Sequence, residues 1–142
     1  MSEATNDQTE ANRKTIRDAF ETWKEGTGAI IDVFAPEMVW CIEGRSFVSK
    51  TYDNKQQFIN EVLAPFSARS TSSSEPFRPV TIRSVYADED TVIVLWAGCG
   101  VANDGKPYEN SYAWFLKMRD CKVIDGVAFY DSISFNDLWS RM

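Results

Sequence analysis

The chain has 142 residues, of which 44% are apolar and 13% aromatic, so it can bury the core of one globular domain without disulfides or metals. Its 15 basic and 21 acidic residues give a net charge of −6, which argues against a protein that binds nucleic-acid phosphates. Histidine is absent, so Ser-His and Cys-His nucleophile pairs and the usual zinc ligand sets are excluded.

The cysteine pattern indicates reduced thiols. Cys41, Cys99 and Cys121 are odd in number and lack CxxC spacing. The N-terminus does not resemble a signal peptide, and no apolar run is long enough to span a membrane. We therefore expect a cytoplasmic protein with no membrane association, no metal and no cofactor.

The N-terminal third predicts two helices. Residues 1–10 are polar and are expected to form a flexible segment, followed by a single domain over residues 11–142. An amphipathic helix is predicted by apolar residues at helical spacing, namely Ile16, Ala19, Phe20 and Trp23. Gly26 and Gly28 end this helix. A second, short helix covers Ile30–Phe34 and ends before Pro36.

A strand and a third helix follow. Met38–Glu43 reads as a strand that Gly44 closes, and Asp53 with Gln56 three positions later predicts a helix N-terminus. The apolar residues between Phe58 and Phe66 form one face of this third helix, which Pro65 is expected to bend or end. The Ser/Thr-rich segment Ser67–Glu75 predicts a loop.

The C-terminal half predicts an antiparallel meander. Its four strands are Val80–Ala87, Thr91–Val101, Pro107–Met118 and Val123–Ser134. Short polar turns join them as consecutive hairpins. Helices followed by such a meander indicate an α+β fold.

Strand periodicity assigns side chains to the two faces of this sheet. Asn110, Tyr112 and Trp114 share one face of their strand. On the last strand we expect Phe129 and Asp131 to point into the pocket. The outward apolar set is expected to be Ala113, Phe115, Ala128 and Tyr130. A β-bulge would reverse the assignment on a strand.

The order of these elements resembles a known family. Three N-terminal helices interrupted by a strand, Trp40 shortly before a glycine, and a late strand ending Phe129-Tyr130-Asp131 are similar to the SnoaL-like branch of the nuclear-transport-factor-2-like superfamily, across about residues 11–139. The resemblance implies a cone-shaped, strongly curved sheet packed on three N-terminal helices around a hydrophobic pocket. It also implies a homodimer through the open sheet face. Because the superfamily contains enzymes and binding proteins, the site must decide the function.

Two catalytic classes of the superfamily do not fit this chain. The oxyanion tyrosine and the two acids of ketosteroid isomerases would fall at Ala19, Ile42 and about Trp114. One acid of the epoxide-hydrolase constellation would fall at Ala128, and its arginine has no counterpart between Asn110 and Leu116.

The polyketide cyclases fit better, because they resemble cones that work with one aspartate near the end of the last strand, where Asp131 stands. We expect Asp131 to act as general base if an apolar cavity raises its pKa, with Asn110 and Tyr112 binding a ligand carbonyl or enolate. The expected ligand-binding walls are Trp23, Trp40, Ile42, Phe58, Trp96, Trp114 and Phe129.

Each of these residues has a structural alternative. Asp131 could cap the end of the strand, Asn110 and Tyr112 could make cross-strand hydrogen bonds, and the aromatic residues could be ordinary core. Two hypotheses follow. The first is a cofactor-independent cyclase or isomerase acting on a small hydrophobic carbonyl compound. The second is a non-catalytic ligand-binding or dimerisation module. A buried, unpaired Asp131 beside a cavity favours the enzyme, and an interior filled by tryptophan excludes it.

Overall fold

A computed structural model describes residues 3–71 and 74–141, with side chains from Asp7 onward. One six-stranded sheet has the strand order β2-β1-β6-β5-β4-β3. The strands are β1 (Phe34–Ile42), β2 (Thr51–Tyr52), β3 (Arg78–Asp88), β4 (Thr91–Val101), β5 (Pro107–Arg119) and β6 (Lys122–Tyr130). The helices are α1 (Glu3–Glu25), α2 (Lys55–Phe58), α3 (Ala64–Ala68) and α4 (Ser132–Arg141), with a 3-10 helix over Ile30–Val33. The predicted α+β class and curled sheet are confirmed.

Helix α1 packs across the inner face of the sheet through its predicted apolar stripe. Ile16 and Phe20 are fully buried. The helix begins at Glu3, so most of the segment expected to be flexible is helical, while Met1 and Ser2 lie outside the described residues. Its first half is held against the β3–β4 hairpin, where Asn12 Nδ2 donates to the Glu89 carbonyl at 2.9 Å. The helix ends at Glu25, and Gly26 follows at φ +83°, as the glycine pattern predicted.

Residues 55–68 form one continuous helical segment with a π-helical turn over Ile59–Leu63. The N-cap is Asn54, one residue after the predicted Asp53, and its Oδ1 accepts the backbone N–H of Gln57 at 2.8 Å. Pro65 does not end the helix, which continues to Ala68. The wider turn before Pro65 gives its ring the space that a regular α-helical turn lacks.

The sheet is mixed, whereas the sequence predicted an antiparallel one. Strand β1 pairs parallel to β6, because the chain returns to the sheet only after the helices and the long meander. Strand β3 has two register shifts opposite β4, and β5 and β6 have one between Lys117 and Met118. Such bulges bend a sheet, and here they curl its inner face around the helices.

The last predicted strand is wrong at its C-terminal end. Strand β6 stops at Tyr130, and residues 132–141 form helix α4 instead. Phe135 and Leu138 are the buried residues of α4. Arg69 fixes the far end of this helix, since its Nη2 donates to the Trp139 carbonyl at 3.0 Å and its guanidinium lies 3.8 Å from the Trp139 ring centre.

The predicted faces are confirmed on β5 and reversed on β6. Tyr112 pairs directly with Tyr130, and Ala113 pairs with Phe129, so each pair shares a face. Ala128 and Tyr130 therefore point inward, and Phe129 points outward with 47% of its surface exposed. The cause is a β-bulge in β6. Ile124 is an extra residue at the register shift, without a partner on β5. After it, the inward and outward positions that begin with the buried Val123 are exchanged.

Two glycines beside Cys99 allow a close backbone approach, as the sequence suggested. A Cβ on Gly98 would lie 2.4 Å from the Phe77 ring, and a Cβ on Gly100 would lie 2.6 Å from the Phe77 backbone. The segment before β3 therefore crosses directly over the end of β4. None of the helices in the described part of the chain is long and apolar enough to cross a membrane.

Candidate functional site

The inner face of the sheet and the helices enclose a cavity of about 540 Å³, a volume typical of small-molecule sites. Half of the described lining residues are aromatic. The aromatic residues are Trp23, Phe34, Trp40, Phe58, Phe66, Phe77, Trp96, Tyr112, Trp114, Tyr130 and Phe135. The tryptophans line the cavity and do not fill it, so the condition that would have excluded an enzyme is not met.

The tryptophan rings are held in place by one another. Trp96 stacks on Tyr112 with centroids 4.2 Å apart and planes at 9°, and Trp114 meets both Trp96 and Trp40 edge to face. Trp40 lies over Gly126, where an added Cβ would come within 2.3 Å of the ring. The absence of a side chain at Gly126 thus lets Trp40 lie flat against β6.

The chemical character of the cavity follows from its polar groups. Among the described lining residues there is no Asp, Glu, Lys, Arg or Cys. Among the described lining residues, the ionisable groups are the phenols of Tyr112 and Tyr130, and burial raises the pKa of both. Both phenols are therefore neutral near pH 7, and can donate or accept a hydrogen bond but cannot act as bases.

Tyr112 is the end of a hydrogen-bonded chain that starts at Asn110. Asn110 Nδ2 lies 2.7 Å from the Tyr108 hydroxyl oxygen, which lies 2.9 Å from that of Tyr112. Tyr108 is 5% exposed, and burial raises its pKa. The chain holds the Tyr112 phenol in a fixed position in the cavity wall.

Tyr130 is held by a second chain, which leads away from the cavity. Its hydroxyl oxygen lies 2.8 Å from Ser46 Oγ, and Ser46 Oγ lies 2.8 Å from Ser49 Oγ. Ser49 in turn donates to the Glu43 carbonyl at 3.2 Å. The loop that carries these serines is fixed to α4, since the Phe47 N–H donates to Asn136 Oδ1 at 2.8 Å.

Asp131 lies outside the cavity. Its side chain is exposed and caps α4, with Oδ1 accepting the Ile133 N–H at 2.9 Å and Oδ2 accepting the Ser134 hydroxyl at 2.8 Å. The hydrogen bond from Ser134 lowers the pKa of Asp131, with further lowering from the backbone N–H groups of Ile133 and Ser134. The expected burial, raised pKa and unpaired state are therefore all absent, because the chain turns into a helix directly after β6.

Asn110 is buried, with 7% exposure, and its amide is hydrogen-bonded to the Tyr108 hydroxyl and to backbone groups of Ser111 and Asp131. Its Oδ1 accepts the N–H of Ser111 at 2.8 Å and of Asp131 at 3.0 Å. Its Nδ2 also donates to the Asp131 carbonyl at 3.0 Å. Asn110 therefore joins β5 to the β6–α4 junction, and it does not line the cavity.

The cavity brings together most of the predicted binding residues. Those that line it are Tyr112, Trp23, Trp40, Ile42, Phe58, Trp96 and Trp114. Asn110, Asp131 and Phe129 do not line it. Among the described donors, the buried indole N–H of Trp96 has no hydrogen-bond acceptor.

Sequence reasoning missed Tyr130, Phe77 and Phe135 as cavity residues. Tyr130 was assigned to the wrong face because one bulge precedes it. Phe77 precedes the predicted strand, and only the small residues opposite it, Gly98 and Gly100, signalled a close approach. Asp131 and Ser134 have the spacing of a helix N-cap and its third residue. This pattern predicts a helix after Asp131, and Phe135 lies in the first turns of that helix.

Comparison with solved structures identifies the fold. Bal32a, from a soil-derived mobile gene cassette, has a TM-score of 0.73 at 18% identity and covers 93% of this chain and 98% of its own. An NTF2-like protein from Burkholderia xenovorans has a TM-score of 0.63 at 16% identity over 92% and 96% of the two chains. The chain has the nuclear-transport-factor-2-like fold.

A third protein with this NTF2-like fold, TerC, was co-crystallised with polyporic acid. It has a TM-score of 0.68 at 18% identity and covers 92% of this chain and 98% of its own. No protein-family model and no curated protein sequence matches the chain. The likeness is therefore one of fold, and the NTF2-like cavity must be interpreted from its own residues.

Proposed function

We propose that this protein binds a small, predominantly apolar molecule in its NTF2-like cavity and carries out no chemical step on it. The observation that carries the proposal is a cavity of about 540 Å³ whose described walls contain neutral phenols, hydroxyls and apolar groups but no acid, base or thiol. An aromatic wall of this kind stabilises a flat or aromatic ligand by burial and by ring stacking.

The expected affinity follows from ligand size. A ligand of roughly 15 to 20 heavy atoms at about 0.3 kcal/mol per atom gains on the order of 4.5–6 kcal/mol, which corresponds to dissociation constants of tens to hundreds of micromolar. The co-crystallisation of TerC with polyporic acid supports small-molecule binding as a use of this fold.

The second candidate is a cyclase or isomerase of the SnoaL-like type with Asp131 as general base. In its favour, Tyr112 provides a phenol able to polarise a ligand carbonyl. Against it, the Asp131 carboxylate is exposed and hydrogen-bonded, and its pKa is lowered. To abstract a proton inside the cavity, the carboxylate would have to break the hydrogen bonds by which it caps α4. We therefore favour binding over catalysis.

The test is to measure binding of bibenzyl (1,2-diphenylethane) by quenching of tryptophan fluorescence, in the wild type and in Ala128→Leu. Ala128 lines the cavity opposite Trp114, so a leucine there occupies the ligand's space and should weaken binding on the order of tenfold. Ala113→Leu is the matched control, because Ala113 lies on the neighbouring strand and pairs with the outward Phe129. Equal affinities in all three proteins would place the ligand elsewhere and contradict the proposal.

We also propose that the protein is a homodimer through the outer face of the sheet. Phe115 and Phe129 are 39% and 47% exposed there, with ring centroids 5.9 Å apart. The predicted outer set is corrected to this pair with Ala113, since Ala128 and Tyr130 point inward. A cytoplasmic location stays a prediction, with which the three free cysteines agree.

A further inference from the structure

The two phenols in the cavity wall differ in where their protons go. A hydroxyl has one proton to donate, an amide nitrogen only donates, and a carbonyl oxygen only accepts. A hydrogen-bonded chain that ends at an amide or a carbonyl therefore has a fixed direction. Both tyrosines belong to chains of this kind.

The chain of Tyr112 begins at an amide whose orientation is determined. Asn110 Oδ1 must be the atom that faces the backbone N–H groups of Ser111 and Asp131, so its Nδ2 faces Tyr108 and donates to it. Among the described residues, the Tyr108 proton has one hydrogen-bonded acceptor, the Tyr112 oxygen at 2.9 Å. Tyr108 therefore donates to Tyr112, and the proton of Tyr112 is left for the cavity.

The chain of Tyr130 ends at a carbonyl. Because the Ser49 proton goes to the Glu43 carbonyl, Ser46 must donate to Ser49 in their contact. The Ser46 proton is then used, so Tyr130 must donate to Ser46. Tyr130 therefore has no proton left for the cavity and presents only the lone pairs of its oxygen.

Tyr112 and Tyr130 are direct cross-strand partners with ring centroids 5.5 Å apart, and both line the cavity. We propose that the pair recognises a neutral ligand that carries both a carbonyl group and a hydroxyl group, as benzoin does. Tyr112 donates to the carbonyl oxygen, and Tyr130 accepts from the hydroxyl. This inference rests on the proposed binding function and specifies its ligand class.

The same geometry disfavours a carboxylate ligand. A carboxylate has no proton to give to Tyr130, so its second oxygen would face the lone pairs of that phenol. No Lys or Arg among the described residues lines the cavity to offset the buried negative charge.

Four compounds with the same two phenyl rings test the inference. Bibenzyl has neither polar group, deoxybenzoin has the ketone, 1,2-diphenylethanol has the hydroxyl, and benzoin has both. In the wild type each polar group should tighten binding about threefold to tenfold, the range of one hydrogen bond between neutral groups, and benzoin should bind most tightly.

Two variants separate the two roles. Tyr112→Phe should remove the gain from the ketone and keep the gain from the hydroxyl, and Tyr130→Phe should do the reverse. Tyr86→Phe is the matched control, because Tyr86 is 56% exposed and does not line the cavity, so all four affinities should stay at wild-type values.

Ser46→Ala tests the direction of the chain independently of packing. Without Ser46, the proton of Tyr130 is free to enter the cavity, where the phenol then donates as well as accepts, so the gain from the ketone should rise while the gain from the hydroxyl is retained. The infrared C=O stretching frequency of bound deoxybenzoin is a second measurement. It should be lower in the wild type than in Tyr112→Phe, because a hydrogen bond from Tyr112 weakens the C=O bond. Tyr108→Phe should give an intermediate value, since it removes the donor that orients Tyr112.

The outcomes also separate this inference from the proposed function. If bibenzyl and the three other compounds all bind with the same affinity, the inference is overturned and the proposed binding function stands. Failure of all four compounds to bind would overturn both.

Discussion

At the scale of single residues, Asp131 was the main catalytic candidate, and the structure gives it a structural role. Its carboxylate caps α4, and its neighbour Tyr130 occupies the cavity instead. Which of these two adjacent residues faces the cavity depends on the alternation of side chains along β6, which the bulge shifts by one residue. Substitutions of Asp131 can therefore distinguish a helix-capping residue from a general base.

We expect Asp131→Ala to lower the free energy of unfolding by about 1 kcal/mol, because an N-cap is lost. Asp131→Asn should change it little at pH 7, since asparagine caps as well as aspartate. Urea unfolding measures both. Because the folded pKa of Asp131 is lowered, its charge stabilises the fold above its unfolded pKa of about 3.9, and this part is lost as the pH falls through the folded pKa.

Asp131→Asn should therefore show a weaker loss of stability between pH 5 and pH 2 than the wild type. A loss of ligand conversion in Asp131→Asn, with unchanged stability and affinity, would instead support the general-base hypothesis.

At the scale of elements, β6 contains a bulge and a glycine, and helix α4 begins two residues after its last residue, Tyr130. The bulge at Ile124 sets which side chains point inward, and Gly126 provides the surface on which Trp40 lies. The cavity wall therefore depends on a position that carries no side chain.

We expect Gly126→Ala to destabilise the protein by about 1–3 kcal/mol, because the added Cβ would lie 2.3 Å from the Trp40 ring and force it to move. The moved ring should also change the tryptophan fluorescence and weaken bibenzyl binding. Gly105→Ala is the control, since Gly105 has φ +84° but nothing within 4 Å of its Cβ. It should cost stability through backbone strain and leave binding unchanged. Wild-type binding by Gly126→Ala would show that Trp40 does not form the ligand's wall.

The helices and strands also show which structural features local sequence patterns predict. The predicted stripe of α1, the hairpins of the meander and the inward face of β5 were right, because each depends on a periodicity within one segment. Helix α4 was not predicted because Val123–Ser134 reads as a continuous strand, although Asp131 and Ser134 have the spacing of a helix N-cap and its third residue.

At the scale of the whole molecule, the sheet has two different faces. The inner face encloses the cavity, and the outer face exposes the Phe115–Phe129 pair. We expect Phe129→Glu to convert a dimer into a monomer in sedimentation at micromolar concentration, because it places a charge in the apolar patch. Phe47→Glu is the control, since Phe47 is 65% exposed on the loop after β1 and should leave the dimer intact. A wild-type monomer at that concentration would contradict the dimer.

The sequence by itself determined the α+β class, the apolar interior and most of the aromatic cavity residues, because these follow from composition and from periodicity along single segments. Only the tertiary structure decided which phenols face the ligand, and with what polarity. That outcome depends on one bulge, on the pairing of Tyr112 with Tyr130, and on hydrogen bonds from residues distant in the chain such as Ser46. No local pattern encodes such contacts, since they exist only when β1, β5, β6 and α4 have come together.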